Sequence, residues 1–236
     1  SYPYPYVGGV KRCGKTKLLT LAFLICHNAL FSTSIKEAGI FRTIQNSRGT
    51  IIVDETEQLH SAERNPVFRA IILSGFMKGA GAHRVEGDET RFVGEYDVYS
   101  PKIFANIQGV EDTLEDRCIP TFLLRTLNND VANRWPDITD SNWVAIRNEL
   151  YVLYLTHAGE VWASCEGCAS CEGILEKAGI TGREKLLWQP IIVMAKLVED
   201  HGVEGLVEAM LSLATAVRDE RLVTDQTENA DITLVM

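Results

Sequence analysis

The order of apolar and polar positions divides the chain into two parts of different character. In the first, short β-branched runs alternate with helical patterns, the signature of an α/β protein. A strand segment around Tyr4–Val7 runs into a glycine loop, and an apolar helix is predicted over Lys15–Leu30. A second helix is predicted over Lys36–Gln45. Thr50–Val53, bounded by Gly49 and Asp54, reads as a buried strand, and Pro66–Gly75 repeats at helical spacing. Between His83 and Tyr99 the pattern VEGDETRFVGEYDVY predicts a hairpin turning near Gly87-Asp88. Ser100–Asn106 and Ile119–Leu124 are further strand segments. Beyond Asn128 helical patterns take over, at Trp143–Leu155, Trp188–Val198 and Val203–Val217. Trp135, Trp143, Trp162 and Trp188 fall among these patterns and are expected to anchor a helical core. The turn-rich stretch Asn128–Asp140 marks the expected boundary between an α/β core, 1–128, and an all-α part, 129–236.

Composition narrows the class. With 46% apolar and 23% charged residues, the 236-residue chain can bury a core without disulfides. Its net charge of −9 excludes a general positive coat for nucleic acid. That charge is uneven: residues 1–50 hold seven Lys/Arg against one acid, whereas 135–236 hold seven against seventeen. The longest apolar stretch, Leu18–Ile25, falls short of the about 20 residues a membrane span needs. No signal peptide is legible, the six cysteines read as reduced thiols, and a cytoplasmic protein is expected.

The positive charge collects at the most specific motif. Gly9-Val10-Lys11-Arg12-Cys13-Gly14-Lys15-Thr16 fits G-x-x-x-x-G-K-[ST] at every fixed position. Gly9 and Gly14 permit the backbone angles that aim successive N–H groups at a phosphate, and the following helix presents its positive dipole end. Lys15 suits the β- and γ-phosphates, the Thr16 hydroxyl suits Mg²⁺, and Cys13 and Lys17 belong to the same binding stretch. Pro3 and Pro5 are unusual where a central strand is expected.

Thr50-Ile51-Ile52-Val53-Asp54-Glu55 supplies the second motif, a buried strand ending in paired acids. In an open α/β sheet ligands gather at the carboxyl ends of strands, so Asp54 is expected on the Mg²⁺ side. Glu55 is expected to orient and deprotonate an attacking water. Together the motifs predict an ATP–Mg²⁺ hydrolase. Asn106, at the end of Pro101–Asn106, suits water positioning and equally suits a strand-terminal turn. Arg117 is a candidate cation for the charge developing on the γ-phosphate in trans, and equally suits complementing a helix C-terminus. Arg183, opening a helix in the all-α part, is a further candidate.

This order of elements resembles that of the AAA+ P-loop ATPases: glycine loop, Asp-Glu strand, hairpin, Asn-ended strand, Asp-Arg before a last strand, then a helical lid. The stretches NPVFRAIILSGFMKGAGAHR, YSPKIFANIQGVEDTLEDRCIP and GREKLLWQPIIVMAK look more specifically like the ATPase domains of phage and plasmid primase–helicase proteins. The resemblance implies a P-loop NTPase fold with a central, mainly parallel sheet flanked by helices, followed by a C-terminal lid. It makes Asn106 sensor 1, Arg117 the arginine finger and Arg183 sensor 2. It also implies a hexameric ring acting on single- or double-stranded DNA, and an upstream primase domain. RCIP resembles the Ser-Arg-Cys element of clamp loaders, with Asp116 in place of the serine. By the same resemblance the hairpin enters a ring pore, where Lys78, His83, Arg84 and Arg91 are the cations available to phosphates. The acidic turn Glu86-Gly87-Asp88-Glu89 works against that contact.

Cys165, Cys168 and Cys171 form C-x-x-C-x-x-C in the helical part. Such spacing can share a metal, here with His157 or Cys26 as fourth ligand, and it suits a flexible insertion as well. A remodelling or assembly ATPase without nucleic-acid contact is the alternative function, and a P-loop kinase a more distant one.

Overall fold

The computed structural model describes residues 1–32, 37–54, 66–79, 81–86, 92–107, 112–167 and 169–235. By packing, the chain divides into two units, Ser1–Val152 and Leu153–Met236.

The first unit is built on five parallel strands: β1 (Tyr4–Gly8), β2 (Leu30–Ser32), β3 (Ile51–Val53), β6 (Lys102–Ala105) and β7 (Cys118–Phe122). Their order across the sheet is β2-β3-β6-β1-β7. Between them run helices α1 (Lys15–Ile25), α2 (Glu37–Ser47), α3 (Pro66–Ser74) and α4 (Asp112–Glu115). Strands flanked by helices must be apolar on both faces, and Ile51, Ile52 and Val53 are all buried. Val7, Leu19, Ile52 and Ala105 form a core between α1 and the sheet. The expected hairpin is present as a separate pair, β4 (Gly81–Glu86) with β5 (Phe92–Asp97), antiparallel in the register Gly81↔Asp97 to Glu86↔Phe92.

Two local features depart from the sequence pattern. The helix predicted to reach Leu30 stops at Ile25; Asn28 then turns the chain at φ 41°, and Leu30–Ser32 becomes the edge strand β2. Asn tolerates the left-handed conformation, and hydrogen bonds from Thr50 N–H to His27 and from Leu30 N–H to Thr50 draw the segment onto β3. Pro5 sits inside a central strand without breaking it. Tyr4 N–H and Gly8 C=O bond on the β7 side and Val7 C=O on the β6 side, so Pro5 faces β6, where register begins only at Tyr6↔Phe104. The missing donor costs no ladder bond there.

A buried lysine closes the amino end of the sheet. Lys102 is 1% exposed, and its ammonium donates to Val98 O (3.2 Å), Ser100 O (3.1 Å) and Ser100 Oγ (3.2 Å) beneath the Tyr4 ring. Burial pushes its pKa down to about 7, against a smaller opposing effect of Asp97. Above about pH 7 the folded chain has released a proton that the unfolded chain keeps until near 10.5, so this group makes stability rise with pH across that window. Below it both states hold the proton and the slope vanishes. Urea unfolding at about pH 6 and about pH 9 is expected to show wild type gaining stability relative to Lys102→Met on going to the higher pH. An equal difference at both values would contradict this.

Beyond β7 every described element is helical: α5 (Asn129–Asn133), α6 (Asn142–Gly167), α7 (Ala169–Lys177), α8 (Gly182–Asp200) and α9 (Leu206–Val235). In the second unit α8 packs with α7 and α9 and buries Leu187, Trp188, Ile192 and Val193.

Candidate functional site

The glycine loop joins β1 to α1 at the carboxyl end of the sheet. Gly9 takes φ 137° and Gly14 φ 104°, both in the region that a side chain disfavours. A Cβ on Gly9 would also lie 2.8 Å from Cys13 Sγ, so the turn closes only around glycine. Arg12 takes the left-handed conformation as well, at φ 66°. Lys15 folds back over this loop, its ammonium donating to Gly9 O (2.6 Å) and Val10 O (3.0 Å) and lying 3.7 Å from Cys13 Sγ. The first helical bond of α1 runs from Leu18 N–H to Gly14 O, so the N–H groups of Lys15, Thr16 and Lys17 carry no bond within the helix. They add to the positive end of its dipole.

The strand order brings the acid to this loop. Val53 is in register with Phe104, and Ala105 with Val7. Asp54, Asn106 and the loop entrance therefore follow three adjacent strands at one level. Two strand spacings, about 10 Å, separate the β3 and β1 backbones. The Thr16 side chain bridges that gap: its hydroxyl donates to Asp54 Oδ2 at 2.8 Å. Asp54 is 7% exposed. A hydroxyl and a carboxylate oxygen in contact are hard donors of the kind Mg²⁺ takes, so the pair fits that ion. Glu55, next in the chain, lies outside the described residues.

Asn106 is 1% exposed, and its side-chain oxygen accepts from Ile107 N–H at 2.5 Å. Its backbone N–H donates to Val7 O, which sets Asn106 beside the strand that leads into the loop. Arg117 is elsewhere. Its carbonyl accepts from Tyr4 N–H, which sets it beside the first residue of β1, about 16 Å along the strand from the loop at about 3.3 Å per residue. Its guanidinium donates to Leu73 O (3.3 Å) and to Thr113 O, closing the carbonyl end of α4. Arg183 is exposed in the first turn of α8, in the second unit.

No family model matches the chain, and no curated protein matches it.

Of the expected phosphate contacts in the hairpin, Lys78 is exposed before β4, His83 and Arg84 lie on β4 opposite Glu95 and Gly94, and Arg91 lies outside the described residues. In the cysteine cluster Cys171 is buried and Cys165 half-buried, α6 ends before Cys168 and α7 begins after it, and Cys168 itself is outside the described residues. Among the described residues no three His, Cys, Asp or Glu side chains gather to hold a metal. His157 pairs instead with Glu160 and stacks edge-on to His201. Nor is any described helix long and apolar enough to cross a membrane.

One neighbour of the loop escapes the sequence pattern. Lys17 donates to Val131 O (3.4 Å) and Ala132 O at the end of α5, and its ammonium sits 5.1 Å from the centre of the Trp135 ring. Trp135 is 60% exposed and Trp162 is exposed too, whereas Trp188 is buried as a core anchor should be. The signal for Trp135 was its setting: it lies in a turn-rich stretch and precedes Pro136, outside any helical repeat.

Proposed function

We propose that this chain is a Mg²⁺-dependent ATPase of the AAA+ type, working as a hexameric ring in the motor of a DNA-replication protein. The observation that carries the hydrolytic part is the Thr16–Asp54 hydrogen bond beside a glycine loop whose lysine lies over it. In this reading Lys15 exchanges the carbonyls of Gly9 and Val10 for the β- and γ-phosphates, and the N–H groups of Lys15 to Lys17 hold the phosphate chain. Thr16 and Asp54 hold Mg²⁺, which when bound offsets the charge on the β- and γ-phosphates. Glu55 takes the proton of a water as its oxygen attacks the γ-phosphorus; the bond to the bridging oxygen breaks and its electron pair leaves with ADP. Asn106, buried at the end of the strand between the loop and the acid, orients that water.

The ring and the trans role of Arg117 follow from the resemblance of the sequence: the residue lies at the far end of β1 from its own loop, and to serve a neighbouring subunit's phosphate its guanidinium would leave Leu73 O and Thr113 O. The five-stranded parallel sheet flanked by helices fits the core that the AAA+ resemblance implies, and its order sets the Asn106 strand between the loop strand and the acid strand. Contact with single- or double-stranded DNA through the hairpin, Arg183 over the nucleotide, and an attached primase domain follow from the resemblance of the sequence.

ATPase rates measured on sizing-column fractions, with and without single-stranded DNA, test the motor. Activity is expected in an assembled fraction and is expected to rise with DNA. An assembled ATPase indifferent to DNA would overturn the motor reading and favour a nucleotide-switched assembly protein.

A further inference from the structure

A bound nucleotide needs a place for its base, and the contact made by Lys17 indicates where. Lys17 is in the first turn of α1, with its N–H among those that face the phosphate chain and its side chain running to the stretch 131–135. A lysine reaches about 6 Å from its Cα. The Trp135 ring centre lies 5.1 Å from that ammonium, so the ring is within about 11 Å of the Lys17 Cα. The separation suits a ribose and base beyond the last phosphate. The order suits it as well: Lys15 takes the β/γ end of the phosphates, and Lys17, two residues on, is the loop-side residue whose ammonium touches Trp135.

We propose that Trp135 is the base-stacking residue of the nucleotide site, one face of its indole against the Lys17 ammonium and the other against the base. This rests on the nucleotide-site reading above. The ring is prepared for the task. It is 60% exposed although it touches Lys17, so much of its surface is open to a ligand. Pro136 restricts the backbone of the residue before it. Asn128 caps α5 through Asp130 N–H and Val131 N–H, and Lys17 closes the other end of that helix. A ring fixed in advance loses little freedom when a base stacks on it. Stacking uses the π-face that every base has, so Trp135 adds affinity without choosing among bases.

The test compares ATP with inorganic tripolyphosphate, which has the phosphates and no base, by calorimetry on wild type, Trp135→Ala and Trp135→Phe. Trp135→Ala is expected to bind ATP on the order of ten-fold more weakly, the size of a lost base–aromatic stack, with tripolyphosphate affinity unchanged. Trp135→Phe is expected to recover most of the loss. The unchanged tripolyphosphate affinity also reports that the loop is intact in the variant. If Trp135→Ala binds both ligands as wild type does, or loses both in proportion, the stacking role is wrong while the phosphate site stands. If wild type binds neither ligand, the nucleotide-site reading itself is wrong, and the stacking role falls with it.

Discussion

Replacing Lys15 with alanine is expected to reduce ATP turnover by at least about a hundred-fold, the scale of losing one preorganised charge at the reacting group. The ammonium lies over the loop, 2.6 Å from Gly9 O and 3.0 Å from Val10 O, so it needs only a short swing to reach phosphate there. Its charge counts because it is already folded over the turn that the backbone N–H groups line. Alanine preserves helix propensity at the first residue of α1, and the loop's shape depends on Gly9 and Gly14 instead. The loss should therefore appear in turnover and nucleotide affinity, not in the melting temperature. Steady-state phosphate release set beside a thermal melt checks both. Wild-type turnover in a folded Lys15→Ala protein would remove the loop from the mechanism.

Glu55→Gln is expected to separate binding from chemistry. A general base contributes roughly 10²–10⁴ in rate, and glutamine keeps the shape while losing the proton acceptor. In the proposed site Asp54, bonded to Thr16, serves the metal side, and Glu55, next to it in the chain, is the carboxylate proposed for the water. ATP affinity should stay near wild type because Lys15, Thr16 and Asp54 are untouched. Nucleotide should accordingly remain bound and unhydrolysed through gel filtration.

The parts of this site that were legible in the sequence are those set by local chemistry. Gly9, Gly14, Lys15 and Thr16 are recognisable because a phosphate-wrapping turn tolerates few substitutes at those places. Ile51-Ile52-Val53 followed by acid is recognisable because a strand covered on both faces has no polar alternation. What the pattern could not supply was which strands become neighbours. The level at which Asp54 and Asn106 meet the loop depends on the β6 insertion between β3 and β1, a non-local pairing. The edge strand β2 was hidden because Ala29-Leu30-Phe31 continues the apolar run of α1, and the turn at Asn28 shows only in the backbone. Lys102 reads as a surface residue in any pattern of polar positions; its burial follows from the acceptors at Val98 and Ser100 that fold around it. Trp135, read as a core anchor, is exposed because its stretch has no helical face to bury it.

The loop from Gly9 to Thr16 and the acids at Asp54 and Glu55 are proposed to form one hydrolytic site. Bound nucleotide and released phosphate, followed together in the same protein fraction with Mg²⁺ for wild type and Glu55→Gln, test it most directly. Wild type is expected to bind ATP and release phosphate, while Glu55→Gln is expected to bind ATP equally well and release phosphate at least about a hundred-fold more slowly. Equal phosphate release by the two proteins, or no ATP bound by either, would contradict it.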